Sequence, residues 1–412
     1  MKKLRTTFTS LITALLLTGC QKDIPMVSLG IDSQYRIDRM KSLILHPEFT
    51  GKRYTWNMKD RNGNDSLVTT DRDFIFVGIT PGEYYLRLNI INEQNPVEHN
   101  VHITVEEENI AYSRYITKVY EYCPAPGQFI NTIPPYETGN SAEDMREKAE
   151  NSIKGTNDIL VSLGGYGGYI TFGFDHTVAN VPGKKDFKIL ANAFYAEANP
   201  NPDAPESGGS CEPGIVMVSI DLNQNGLPDD EWYELAGSEY YKPETRHNYQ
   251  ITYHKPSPDK IPTPEEGTPI TDNTYIQWET NSGEIGYISK NAYHFQDYYP
   301  KWIQEDNLTF TGTKLNNNAV DESGGKGSFY VLYAYDWGYV DNHPNDKEDK
   351  ISFDIDWAVD REGNPVYLPG VDFIRVYTGV NQQCGWLGET STEISRAEDL
   401  HVKDITNFTP NP

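Results

Sequence analysis

Val101-His102-Ile103-Thr104-Val105 decides the fold class. Val101, Ile103 and Val105 fall on one side of an extended chain and His102 and Thr104 on the other, the period-two pattern of a half-buried strand. Working back from it, Tyr84 to Ile91 reads as a strand entered from a Thr80-Pro81-Gly82 turn. Asp73 to Val77 reads as another, and Tyr54-Thr55-Trp56 as a third before an Asn62-Gly63 turn. Residues 26–109 are therefore expected to form one small β-sandwich, with Glu106 to Asn109 as its exit linker.

Composition agrees. The 412-residue chain carries 28 Tyr, 15 Phe, 7 Trp, 33 Gly and 26 Pro, a mixture that favours strands and turns over long helices. Its length exceeds a single small module, at about 100–200 residues per domain. Lys and Arg number 35 against 60 Asp and Glu, and the formal charge of -25 argues against nucleic acid or an anionic membrane surface as the main partner.

Residues 112–406 show no fixed repeat period, so one larger β domain is expected rather than a propeller or solenoid. Strands are expected at 115–120, 159–163, 169–174, 187–190, 215–220, 249–253, 329–335, 351–357 and 373–377. One short accessory helix is expected from Ser141. Its hydroxyl can cap the first turn while Asp144 answers from the third position, and Met145, Ala149 and Ile153 follow at i, i+4 and i+8 before Gly155. The Pro-, Asp-, Glu- and Thr-rich stretch 254–273 and the stretch 199–213 read as long exposed loops. The overall expectation is all-β: an Ig-like sandwich followed by a larger β-sandwich of jelly-roll type.

The first 20 residues open with Lys2, Lys3 and Arg5, run through Leu11 to Leu17, and end at Leu17-Thr18-Gly19-Cys20. This is a secretion signal, too short to span a membrane, that ends in a bacterial lipobox; Cys20 is the expected lipidation site. Each buried acyl methylene contributes about 0.8 kcal/mol, so several chains would hold the protein at a membrane surface. No later segment approaches 18 uninterrupted apolar residues. Beyond Cys20, the odd number formed by Cys123, Cys211 and Cys384 allows at most one disulfide within the chain, and three free thiols are the alternative.

The best chemical signal is Asp221-Leu222-Asn223-Gln224-Asn225-Gly226-Leu227-Pro228-Asp229-Asp230-Glu231. Oxygen donors at positions 1, 3, 5 and 9, a Gly at 6 and a carbonyl at 7 suit a hard divalent cation, and Ca2+ is the natural candidate. The set nominated is Asp221, Asn223, Asn225, Asp229 and Glu231. Trp232 stands at position 12 where a bidentate Glu would close the shell, and a metal-free Asn-Gly hairpin is the competing reading. Leu163-Gly164-Gly165-Tyr166-Gly167-Gly168-Tyr169 lacks the Lys-Ser/Thr of a P-loop and reads as a tight turn or bulge. Aromatic residues peak at 293–302 and 333–339. Trp302, Trp337 and Tyr339 are the candidates for a ligand surface, with core filling as the alternative. No H-E-x-x-H and no G-x-S-x-G occurs, so no enzymatic activity is expected.

The order of a Trp-containing strand, the Pro81-Gly82-Glu83-Tyr84-Tyr85 turn and an alternating final strand resembles the PKD-like modules of bacterial surface proteins, which usually serve as spacers. Further segments are Tyr122-Cys123-Pro124-Ala125-Pro126-Gly127-Gln128-Phe129-Ile130-Asn131, Phe172-Gly173-Phe174-Asp175, Lys188 to Phe194, Glu212-Pro213-Gly214 and Gly385 to Ile394. Together with the lipobox and the Gln21-Lys22-Asp23 that follows it, they resemble Bacteroidetes cell-surface lipoproteins of the kind found in cobalamin-uptake loci. That resemblance implies an outer-membrane, surface-exposed lipoprotein that binds a nutrient, cobalamin among the candidates, for a TonB-dependent transporter. A calcium-dependent glycan-binding or adhesion protein is the alternative.

Overall fold

The structure, a computed structural model, describes residues 28–59, 63–92, 96–107 and 111–402. Cys20 and its lipobox lie outside the described residues. The chain is all-β apart from one α-helix and two short 3-10 turns among the described residues.

The alternation at Val101 does what it dictates. Val101, Ile103 and Val105 are buried in the strand Val97–Glu106, while His102 and Thr104 face outward and both approach the Glu83 carboxylate. Each of the three aliphatics contributes about 1.5–3 kcal/mol by leaving water. That strand lies second in a five-stranded sheet ordered Gln34–Asp38, Val97–Glu106, Gly82–Ile91, Arg53–Lys59 and Asp65–Thr69. The pair Ser42–Leu45 and Phe74–Val77 contributes Leu45, Phe74 and Phe76 to the same core. Trp56 is the central plug, stacked on Phe74 at 5.3 Å, with its indole N–H donated to the Arg72 carbonyl at 3.2 Å.

The remaining strands centre on a six-stranded antiparallel sheet ordered Ala358–Val359, Tyr233–Leu235, Gly214–Ser219, Phe373–Thr378, Tyr169–Gly173 and Lys118–Cys123. Period two sends its apolar residues both ways. Val216, Val218, Ile374, Val376, Ile170 and Phe172 enter one core, which Met145, Ala149 and Ile153 of the helix Ala142–Ile153 also enter. Ile215 and Tyr377 enter a second core, shared with Tyr249, Ile251, Tyr253, Ile276 and Phe310 of a four-stranded sheet. That sheet is ordered Ile285–Asn291, Ile270–Thr280, Arg246–His254 and Asn307–Lys314. Being covered on both faces, the central sheet can be apolar on both.

Several expected strands are shorter than the sequence suggests, 329–335 pairing only at Tyr330–Tyr333 and 115–120 starting only at Lys118. Within 351–357 only Ser352–Phe353 pairs, because the Asp354 carboxylate accepts from the Asp356 N–H at 3.0 Å and turns Ile355–Trp357 into a 3-10 helix. Within 159–163 only Val161–Ser162 pairs. The glycine run is a close-approach turn. A Cβ on Gly164 would stand 2.0 Å from the Ala125 carbonyl oxygen, and one on Gly168 2.0 Å from that of Leu163. Cys123, Cys211 and Cys384 are free thiols, the last two buried in one small apolar cluster with Leu332.

The N-terminal sandwich is keyed into the larger part through Met40. Its N–H donates to the Gly78 carbonyl at 2.7 Å, its carbonyl accepts from the Thr177 N–H at 2.9 Å, and its side chain is fully buried against Ala179, Ile79 and Tyr112. Nearby, Lys41 donates to the Asp175 carbonyl at 3.0 Å and Tyr112 to the Arg39 carbonyl at 2.6 Å.

Candidate functional site

In the loop at 221, four of the five nominated residues converge. The Asp221 carboxylate accepts from the N–H groups of Asn225 at 3.0 Å and Gly226 at 2.8 Å. The side-chain amides of Asn223 and Asn225 both donate to Asp229, at 2.9 Å each. Glu231 does not join them: it accepts from the Tyr233 hydroxyl at 3.0 Å, and Asp230 turns back to the Leu222 N–H at 3.0 Å. Each Asn oxygen already accepts a backbone N–H, that of Asn223 from Asn225 at 3.0 Å and that of Asn225 from Leu227 at 2.7 Å. With the amide nitrogens inward, the same loop satisfies itself.

The aromatic candidates divide differently from expectation. Trp302, 7% exposed, stacks between Tyr122 at 6.0 Å and Tyr136 at 6.2 Å in the first core. Tyr339, 1% exposed, lies in the second core and accepts from the Glu239 N–H at 3.0 Å. Neither offers a face to a ligand; both were attractive only because aromatic density is equally high in a β core. Trp337 is half-buried against Trp357 at 4.6 Å, whose ring Lys185 caps at 3.7 Å.

A cleft of about 660 Å³ lies where the four-stranded sheet meets the segments 255–262 and 291–301. Its apolar wall is Tyr275, Tyr299 and Phe295, the last 83% exposed. Four lysines line it in a chain of charge -25: Lys255, Lys260, Lys290 and Lys301. Two are neutralised locally, Lys260 by Asp272 at 2.6 Å and Lys301 by Asp297 at 3.1 Å. The other two lie over rings: Lys255 is 5.3 Å from the Tyr299 centroid and Lys290 4.7 Å from that of Tyr275. Burial lowers the Lys290 pKa against the pull of Asp297 and Asp272, and it raises that of Tyr275 to about 12. The cleft thus offers a flat aromatic wall beside Lys255, which donates to the Ile303 carbonyl at 2.9 Å, and Lys290, neither in a salt bridge among the described residues, an arrangement suited to an anionic group on a partly apolar body. Sequence reading flagged the aromatic run at 293–302 but not the lysines. Their spacing around that run was the available signal.

A separate group of carboxylates is buried under the ends of the central sheet. Glu212, Asp341 and Glu393 each place an oxygen within 4.8 Å of the other two, a hard-oxygen set of a kind a metal can use. Protein donors reach all three: Ser162 and Ser391 hydroxyls bond Glu393 at 2.8 Å each, the Glu393 N–H bonds Asp341 at 3.0 Å, and the Ser210 hydroxyl bonds Glu212 at 3.2 Å. Burial and mutual repulsion push Glu212 and Asp341 well above the ordinary carboxylate range, and burial raises Glu393 to about 7.

No helix among the described residues is long and apolar enough to cross a membrane. No protein-family model and no curated protein matches the sequence. Among solved structures, a SusE-like protein aligns over 88% of this chain and 94% of its own at 8% identity and a TM-score of 0.23, a likeness too low to carry an argument.

Proposed function

We propose that the protein is a non-enzymatic capture lipoprotein, held at the outer-membrane surface through Cys20, that binds a nutrient for a TonB-dependent transporter. The observation that carries this reading is the cleft of Tyr275, Tyr299, Phe295 and four lysines in an otherwise strongly acidic chain. Its volume lies within the usual range for small-molecule sites, about 300–1,000 Å³. Such a cleft selects a flat, partly apolar molecule bearing a negative group. Cobalamin, with its corrin face and phosphodiester, is the named candidate and would engage it by one edge. The test is a thermal-shift and calorimetric titration of residues 21–412 with cobalamin, since a ligand of the folded state raises the midpoint by mass action. Binding weakened at least tenfold by Lys290→Glu supports the reading. Absence of a shift with cobalamin and with other anionic aromatic nutrients sinks it.

Convergence of Asp221, Asn223, Asn225 and Asp229 favours a second reading, a calcium-dependent glycan-binding or adhesion protein. Those four side chains and the Leu227 carbonyl would hold the ion, which would stiffen the loop. Calcium should then raise the melting midpoint, and chelator or Asp221→Ala should remove the rise; glycan binding indifferent to both would discard this reading.

A further inference from the structure

We propose that a second cleft, further along the hairpin Ile270–Thr280 and Ile285–Asn291, binds a single neutral, hydroxyl-rich ring of the sugar or polyol class. This cleft, about 200 Å³, shares no lining residue with the lysine cleft and has no Lys, Arg or His in its wall. Its chemistry comes from Trp278, Tyr287, Asn317, Asn381, Gln383 and Glu389.

Each part is held in place. Trp278 pairs across the hairpin with Gly286, and a Cβ there would lie 2.2 Å from the indole, so the glycine lets the ring lie flat on the neighbouring strand. Asn381 is anchored through its amide N–H to the Tyr249 hydroxyl at 3.0 Å, and Asn317 through its oxygen to Lys314 at 2.9 Å. Gln383 clasps Ser289, accepting from its N–H at 3.2 Å and donating to its hydroxyl. The Asn381 oxygen and the Asn317 amide N–H have no protein partner among the described residues.

Glu389 supplies the independent sign of a ligand. It is 6% exposed, and its Oε1 accepts from the Gln128 N–H at 2.6 Å, yet its Oε2 has no hydrogen-bond partner. A buried oxygen without a partner is costly unless something completes it. A ring hydroxyl that reached Oε2 from the cleft Glu389 lines would do so. Burial lifts Glu389 to about 8, so at neutral pH it is mostly the acid and can donate as well as accept. A flat indole for the C–H face of a ring, beside amides and a carboxyl for its hydroxyls, is the mixture that recognises a sugar. A wall without a cation disfavours an anion.

The test is calorimetry and saturation-transfer NMR on residues 21–412 with glucose, galactose, mannose, N-acetylglucosamine and myo-inositol. At least one probe should bind, at least tenfold more weakly in Trp278→Ala and in Asn381→Ala. In the native protein, affinity should fall as pH rises through about 8, and Glu389→Gln should flatten that dependence. No saturation transfer to any probe in the native protein overturns the proposal, as does binding that both Trp278→Ala and Asn381→Ala leave intact.

Discussion

At the residue scale, the buried carboxylates set a pH dependence whose sign is fixed. Glu393 is raised to about 7, and Glu234 and Glu389 each to about 8, all chiefly by burial. A group whose folded pKa is raised binds more protons folded than unfolded. Its stabilising contribution is complete below the ordinary carboxylate value and is lost as pH rises through the folded value. The melting midpoint should therefore drop by several degrees between pH 5 and pH 8. Glu393→Gln, which keeps the hydrogen bonds of the neutral acid, should flatten that drop and raise the midpoint at pH 8. Calorimetry across the pH series checks it, and a midpoint that climbs over that range in the native protein would refute it. None of this was legible in the sequence, because Glu212, Asp341 and Glu393 are far apart along the chain and only the fold brings them within 4.8 Å. Trp302 and Tyr339 failed as surface candidates for a related reason: side-chain type gives no direction until the strand's buried face is known.

At the element scale, local signals were read well where they close within a few residues. The Ser141 hydroxyl accepts from the Asp144 N–H at 3.2 Å and Asp144 returns the bond to the Ser141 N–H at 2.7 Å, the reciprocal cap that their spacing implies. Ser141→Ala should cost about 1 kcal/mol. Denaturant unfolding measures it, and an unchanged midpoint would show that packing of Met145, Ala149 and Ile153 alone holds the helix. The hairpin Ile270–Asn291 was hidden instead. Its first strand was not recognised, its first four residues falling in the stretch 254–273 read as loop, because register breaks between Ile270 and Asp272, and again between Asp272 and Ile276, scramble the alternation. Those irregularities fall at Thr271, Asp272 and Tyr275, all of which line the lysine cleft, so the departure that obscured the strand also shapes the site. Gly286 allows a sharper test. Gly286→Val should drive the Trp278 indole off its neighbour, at a cost of about 1–3 kcal/mol. Loss of the indole's chemical-shift signature by NMR reports the displacement.

At the scale of the whole molecule, the all-β class followed from composition and alternation, but the covering of the central sheet on both faces did not. Ile215 and Val216 are neighbours that serve different cores, and a run apolar on both sides carries no period to read. The junction was equally invisible, since it depends on Met40 in a left-handed conformation, φ 59°, that few non-glycine residues adopt. Met40→Ala should cost about 2–5 kcal/mol by emptying a fully buried site. The intact chain should melt in one transition and the variant in two, by calorimetry; two transitions in the native protein would mean that the junction does not couple the parts. The same plug has a mechanical corollary. A head on a slack tether wanders through a hemisphere about its point of attachment, whereas a head keyed to its stalk swings as one stiff arm. Held by its N-terminus at a surface, such an arm would carry both clefts through a thin shell at nearly constant distance from the anchor. Their local concentration there would follow from arm length instead of linker slack.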